Sequence, residues 1–235
     1  REMFDGGRLL HSYRAGAASI NGMLEDYAYL GLGLVELYKL SGGLDALQWA
    51  EELLLNIVQR FHDDEHGGFF ETASDAEQLL FRNKDYFDAA TPSGNGAAAL
   101  LGVWLARYYA RPDAERVADE VIGQVSDHLL AAVSGFGTLW QVALFRNAPP
   151  REIAIIGGTD AREPLEAVTA SRYLPWAVVA PSADAVGLPL FEGREVGAGA
   201  RAYVCEAMAC KLPATNPGQL IEQLDSLFRE QARPA

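Results

Sequence analysis

The chain has 235 residues, 49% of them apolar, and carries 32 acidic against 19 basic side chains for a formal charge of -13. That length suits one large domain, or one domain with a small appendage, and the apolar content is enough for a real core. The excess of acid argues against partners such as nucleic acid or an anionic membrane surface, and no run of about 18 apolar residues predicts a membrane span.

Residues 1–22 read as irregular, with a turn at Asp5-Gly6-Gly7 and a short strand within residues 9–13. Residues 24–40 are apolar almost all round, through Leu24, Tyr27, Ala28, Leu30, Leu32, Leu34, Val35, Leu37 and Tyr38. Ser41-Gly42-Gly43 stops that helix, and Asp45 can cap the next. Residues 45–61 carry a single apolar stripe of Leu47, Ala50, Leu54, Ile57, Val58 and Phe61. After a polar turn at 62–68, residues 69–72 and 79–82 read as a small hairpin. Thr91 and Pro92 suit the cap and first position of a helix over 96–109, again apolar all round. Residues 113–133 return to one stripe, closed by Ser134-Gly135-Phe136-Gly137.

A helix apolar on every side is expected to be buried on every side, and a striped helix to sit on the surface. The order inner, outer, inner, outer therefore predicts a mainly α fold, part of an (α/α) toroid of helical hairpins, over residues 1–147. Its two halves form a weak repeat of roughly 70 residues. After Asn147 the pattern changes to strands at 153–156, 177–180 and 202–205, with a helix over 160–171. That spacing predicts a small α/β (βαβ) element over 148–235, completed by a last helix from about 217 to 229. Two hairpins do not close a ring. The missing pairs are expected upstream in a longer parent chain, or else an open arc exposes apolar faces and forms a homo-oligomer. A first residue other than Met also fits a piece of a longer chain, natural or truncated.

Several segments occur in a telling order: Asp5-Gly6-Gly7-Arg8-Leu9-Leu10, Leu24-Glu25-Asp26-Tyr27-Ala28, Gly67-Gly68-Phe69-Phe70, Asp88-Ala89-Ala90-Thr91-Pro92-Ser93-Gly94-Asn95, and Tyr203-Val204-Cys205-Glu206 with Ala209-Cys210. Together they resemble the C-terminal third of the thioredoxin-domain-containing proteins related to spermatogenesis-associated protein. The resemblance covers nearly the whole chain. It implies an upstream thioredoxin-like domain followed by an (α/α)6 toroid similar to six-hairpin glycosidases and N-acylglucosamine 2-epimerases. No Cys-x-x-Cys occurs here, so a redox role of the parent does not carry over, and the family supplies no catalytic residues that map onto this chain.

Inner-helix ends at a toroid mouth are where chemistry is expected. Glu25, Asp26 and Tyr27 begin one inner helix, Ser93 and Asn95 the next, and Asp85 and Asp88 precede it. Asp26, Asp88 and Glu25 are the candidate catalytic carboxylates, since sugar hydrolysis needs one acid and one base or nucleophile. Tyr27, Arg82, Lys84, Asp85, Tyr86, Ser93, Asn95 and His11 are candidate contacts for sugar hydroxyls and ring faces. The bland alternative is that acids in a first helical turn only cap amides and offset the dipole. His62 and His66 read as solvated turn residues, and His128 as exposed.

Asp63-Asp64-Glu65 lacks the alternating oxygens of a calcium loop, so no metal site and no cofactor are expected. Gly157-Gly158-Thr159 offers amides for an anion but reads better as a tight turn. Cys205 and Cys210 are too few for a disulfide scaffold and fit a reducing, cytoplasmic compartment. They read as buried free thiols, with a redox pair or thiol switch, a disulfide formed on oxidation if the loop folds back, or half a zinc site as alternatives. The leading functional expectation is a carbohydrate-binding or carbohydrate-processing module. The other is a non-catalytic scaffold for the upstream thioredoxin-like domain.

Overall fold

The computed structural model describes residues 2–5, 7–77 and 80–229. The described residues are 50% helical and 16% strand, with one three-stranded and one four-stranded sheet. It is therefore an α/β mix, which overturns the expected mainly α toroid. Two causes are visible. The residues before Leu24 form strands instead of an irregular lead-in, and the first helix is not buried all round. Gly33, Leu37 and Leu40 on that helix are exposed. Apolar content alone did not distinguish a residue facing the core from one facing water.

Contacts divide the chain into two compact units. The first is Arg1–Val35, Asp45–Ala106 and Arg111–Asn147; the second is Glu36–Leu44, Arg107–Ala110 and Ala148–Ala235.

In the first unit, β1 (Phe4–Asp5), β2 (Arg8–Arg14) and β3 (Ala17–Asn21) form an antiparallel sheet in that order. Helices α1 (Leu24–Ser41) and α2 (Leu44–Phe61) follow, the first ending beyond this unit. Asp45 lies inside the first turn of α2, one residue past its start. Leu47, Ala50, Leu54, Ile57 and Phe61 of the predicted stripe are buried on α2, whereas Val58 is exposed to water. The expected hairpin at 69–72 and 79–82 is replaced by bends, with one isolated bridge between His62 and Phe69; Leu79 lies outside the described residues.

Helix α3 (Gly94–Tyr109) is buried along most of its circumference, as its composition implies. Its cap is Ser93, whose Oγ accepts the Gly96 amide at 3.1 Å, so Thr91 and Pro92 stand outside the helix. Helix α4 (Arg116–Leu129) buries Val117, Val121, Val125 and Leu129 and stops short of residue 133. Helix α5 (Gly137–Asn147) has no counterpart among the sequence expectations; it buries Leu139, Val142 and Phe145, with Phe145 against Trp104.

In the second unit, β4 (Arg151–Ile156), α6 (Thr159–Ala170) and β5 (Ala177–Ser182) form a parallel crossover. β6 (Arg201–Glu206) joins the other side of β4 antiparallel, and β7 (Ala209–Cys210) pairs with β6, giving the order β5-β4-β6-β7. Helix α7 (Pro217–Arg229) closes the unit. Ile153, Ile155, Val179 and Val204 from the strands pack with Leu165 and Val168 of α6 and with Leu220 and Leu224 of α7. The near-continuous burial of β4 and β5 is what a covered parallel pair requires. Tyr108 donates its hydroxyl hydrogen to the Val179 carbonyl at 2.9 Å and meets Tyr38 edge-on.

Candidate functional site

One cleft in the first unit brings sequence-predicted site residues together with new ones. Its geometry begins at Leu9. The Leu9 amide donates to the buried Tyr27 hydroxyl at 2.7 Å, and its carbonyl accepts the Gly22 amide at 2.8 Å. A Cβ at Gly22 would lie 2.9 Å from that carbonyl, so the close approach needs glycine. Strand β2 is thereby pinned beside the start of α1. His11 lies two residues on, on the same strand face as Leu9. Its Nδ1 pairs with both Asp26 oxygens, at 2.9 and 3.1 Å. The Asp26 carboxylate also accepts the Met23 amide at 2.8 Å, the reciprocal bond of a capping box, which fixes its rotamer.

The bond and charge of Asp26 hold the His11 pKa above the ordinary histidine value, with a small further push from Glu25. Nε2 of His11 has no partner among the described residues. The cleft is about 660 Å3 and is lined by Phe4, Tyr13, Trp49 and Glu2 as well as by the His11–Asp26 pair. Phe4 and Trp49 meet edge-to-face at 5.7 Å, and Glu2 hydrogen-bonds the Tyr13 hydroxyl, raising its pKa. These four residues were not predicted. Trp49 belongs to the second helix and Phe4 and Tyr13 to strands, so only the tertiary fold unites them.

The other predicted site residues do not line this cleft. Tyr27 is in the core, bonded to Leu9 and edge-on to Phe61. Asp88 accepts the Ser93 amide at 2.9 Å and the Thr138 amide at 2.6 Å, tying together the starts of α3 and α5. Ser93 is a helix cap. Fully buried Asn95 accepts the Phe69 amide at 2.9 Å and donates to the Phe69 and Asp85 carbonyls at 2.8 and 2.9 Å. Asp85 itself accepts the Phe87 amide. The Tyr86 hydroxyl lies against Gly68, and burial raises its pKa to about 12. Lys84 pairs with Asp63 at 2.6 Å and donates to the Gly67 carbonyl. Arg82 stacks 4.0 Å over the Phe70 ring and donates to the Thr72 carbonyl at 2.5 Å. Glu25 is half-buried beside Asp26.

His62 is more than a solvated turn residue. Its Nδ1 pairs with Asp64 at 2.8 Å and its Nε2 with Glu120 at 2.7 Å. Burial opposes its charge, but the two carboxylates outweigh that and raise its pKa. Asp63 serves as a structural anion. The Lys84 bond, aided by the Glu65 and His66 amides, holds its carboxyl well below the usual range against the opposing effect of burial. His66 and His128 are exposed. Among the described residues no group of three or more His, Cys, Asp or Glu is placed to hold a metal ion. The Gly157 amide donates to the Ser182 carbonyl, which removes it from any anion cradle. Cys205 and Cys210 form a disulfide across the β6–β7 hairpin, correcting the reading as free thiols. Among the described residues no helix is long and apolar enough to cross a membrane.

No protein-family model matches the chain. Spermatogenesis-associated protein 20 of Homo sapiens is 29% identical over 242 aligned positions, and that of Mus musculus 28%. Each alignment covers 94% of this chain but 30% of the relative. The chain thus spans less than a third of the length of the curated relatives it matches, and along nearly all of its own length it is homologous to spermatogenesis-associated protein 20.

Proposed function

We propose that the first unit binds a small polyhydroxylated ligand of the carbohydrate class in the Phe4–Trp49 cleft, with His11 as its acid–base group. The observation that carries this reading is the His11–Asp26 pair within an aromatic-lined cleft. A volume of about 660 Å3 falls within the range of small-molecule sites. Trp49, Phe4 and Tyr13 offer apolar faces to the C–H side of a sugar ring, while Glu2, Asp26 and His11 offer acceptors and donors to its hydroxyls. The carboxylate orients the imidazole through Nδ1 and stabilises its charged form, leaving Nε2 to exchange a proton with a ligand.

Asp88 is not assigned a catalytic role in this reading, because both its oxygens are already bonded to backbone amides. The test is thermal stability in the presence of monosaccharides, N-acetylated sugars and short oligosaccharides, for the wild type, His11→Gln and Trp49→Ala. A ligand specific to the folded state raises the midpoint. The expected result is a rise for the wild type that both variants lose while still folding. An equal rise in all three proteins contradicts the site. No rise with any sugar contradicts the ligand class and favours an interaction role with segments that the longer relatives possess.

A further inference from the structure

A second site, in the other unit, is built around the disulfide. Cys205 of β6 and Cys210 of β7 are directly opposed partners in an antiparallel pair, with Cα atoms 3.9 Å apart. The two sulfurs differ in environment. Cys205 is 3% exposed, whereas Cys210 is open to solvent. The Arg194 guanidinium lies against the buried member, Nη2 standing 3.2 Å from Cys205 Sγ. Its side chain is more than nine-tenths buried and is held by Glu152 at 2.8 Å. Arg194 Nη1 is buried and has no hydrogen-bond partner among the described residues. A cavity of about 590 Å3 lined by Arg194, Glu152, Tyr203, Cys205, Cys210 and Lys211 gives access to the pair.

The turn joining the strands adds to the asymmetry. Ala207 and Met208 take φ of 47° and 70°, the left-handed region in which a two-residue hairpin ordinarily places Asn or Gly. Two residue pairs join β7 to β6, one of them the bridged pair, and beyond β7 the Lys211 amide bonds the Val204 carbonyl and Ala214 bridges Ala202. The covalent link adds to these bonds in a hairpin whose own turn residues disfavour it.

From this geometry we infer that Cys205–Cys210 is a thiol–disulfide exchange site, opened by an external dithiol that attacks Cys210 while Arg194 receives the Cys205 thiolate. A thiolate of the reductant attacks Cys210 Sγ, and the bond between the two protein sulfurs breaks. Its electron pair leaves on Cys205 Sγ, beside the guanidinium. The second thiol of the reductant, once deprotonated, attacks the sulfur bonded to Cys210 and releases the Cys210 thiolate, which takes up a proton. The protein disulfide is reduced to the Cys205 thiolate and the Cys210 thiol, the dithiol is oxidised to a disulfide, and the dithiol's other proton goes to solvent. Attack at the exposed sulfur and departure of the better-stabilised thiolate are two of the factors that set the rate of such exchange, and the two that the protein controls.

The test uses the full chain and dithiothreitol. Reduction is followed by alkylation and mass analysis, in the wild type and in Arg194→Gln. Loss of the guanidinium is expected to slow reduction about threefold, the rate equivalent of roughly one pH unit in leaving-group acidity when about half of it is expressed in the transition state. An equal rate overturns the role of Arg194. In case that variant fails to fold, Cys210→Ser and Cys205→Ser are titrated by thiolate absorbance, each retaining one cysteine. The Cys205 thiol is expected to ionise about one pH unit or more below the Cys210 thiol. Ionisation of Cys205 at or above Cys210 overturns the proposal.

Discussion

Two histidines in the first unit are each paired with a carboxylate, and the comparison between them separates chemistry from architecture. His62 spends both ring nitrogens, one on Asp64 and one on Glu120, which lies 58 residues away. His11 spends one nitrogen on Asp26 and lines a cleft with the other uncommitted. Both pKa values are raised, so the shift does not distinguish them. What does is the remaining hydrogen-bonding capacity. A polar group with every valence filled by protein holds the fold together, whereas one with capacity to spare can meet a ligand.

The same rule sorts the rest of the predicted rim and orders the predictions by size. Asn95 is the most completely committed group. Asn95→Ala would strip the buried Phe69 amide and carbonyl of partners and is expected to cost about 3 kcal/mol in urea unfolding. A cost below about 1 kcal/mol would break the comparison at its structural end. Asp88→Ala removes a carboxylate that serves two helix starts and is expected to cost about 1–2 kcal/mol. If Asp88 were instead catalytic, that variant would lose ligand response without losing stability.

His62→Gln sharpens the comparison through pH. Folding favours the protonated imidazole of His62, so its contribution is fully present below the unfolded pKa of about 6.5 and is lost as pH rises through the raised folded value. The difference between wild type and His62→Gln in urea unfolding should therefore be largest in mild acid and vanish in alkali. Solvent screening keeps it to about 0.5 kcal/mol. A difference that grows with pH would contradict the assignment. His11→Gln stands at the small end for stability: the unfolding midpoint should barely move, while ligand response is lost.

Much of the secondary structure was legible because period and composition agreed. The α2 stripe and the apolar runs of β4 and β5 each carried their own signal. Strand β3 did not, since Ala-Ala-Ser-Ile-Asn neither alternates nor buries much. Helix α5 was hidden because the glycines around Phe136 read as a stop, while in the fold they begin a 3-10 turn that leads into a new helix. The toroid expectation failed for a related reason: an apolar helix was equated with a buried one.

Of the site, His11 and Asp26 were legible as residue types suited to sugar chemistry, but their pairing was not. It depends on Tyr27 drawing Leu9, and so the whole of β2, against the start of α1. The β6–β7 hairpin that brings Cys205 and Cys210 together was likewise not legible, because Ala207-Met208 lacks the residues that announce a two-residue turn.

The most direct test of the central claim is to follow the His11 ring protons by NMR while the chain is titrated with the sugar panel, using His11→Gln to assign the signal. The account predicts that a sugar moves the His11 resonance and its titration midpoint while leaving His62 unchanged. A sugar that binds and leaves His11 unmoved would contradict it.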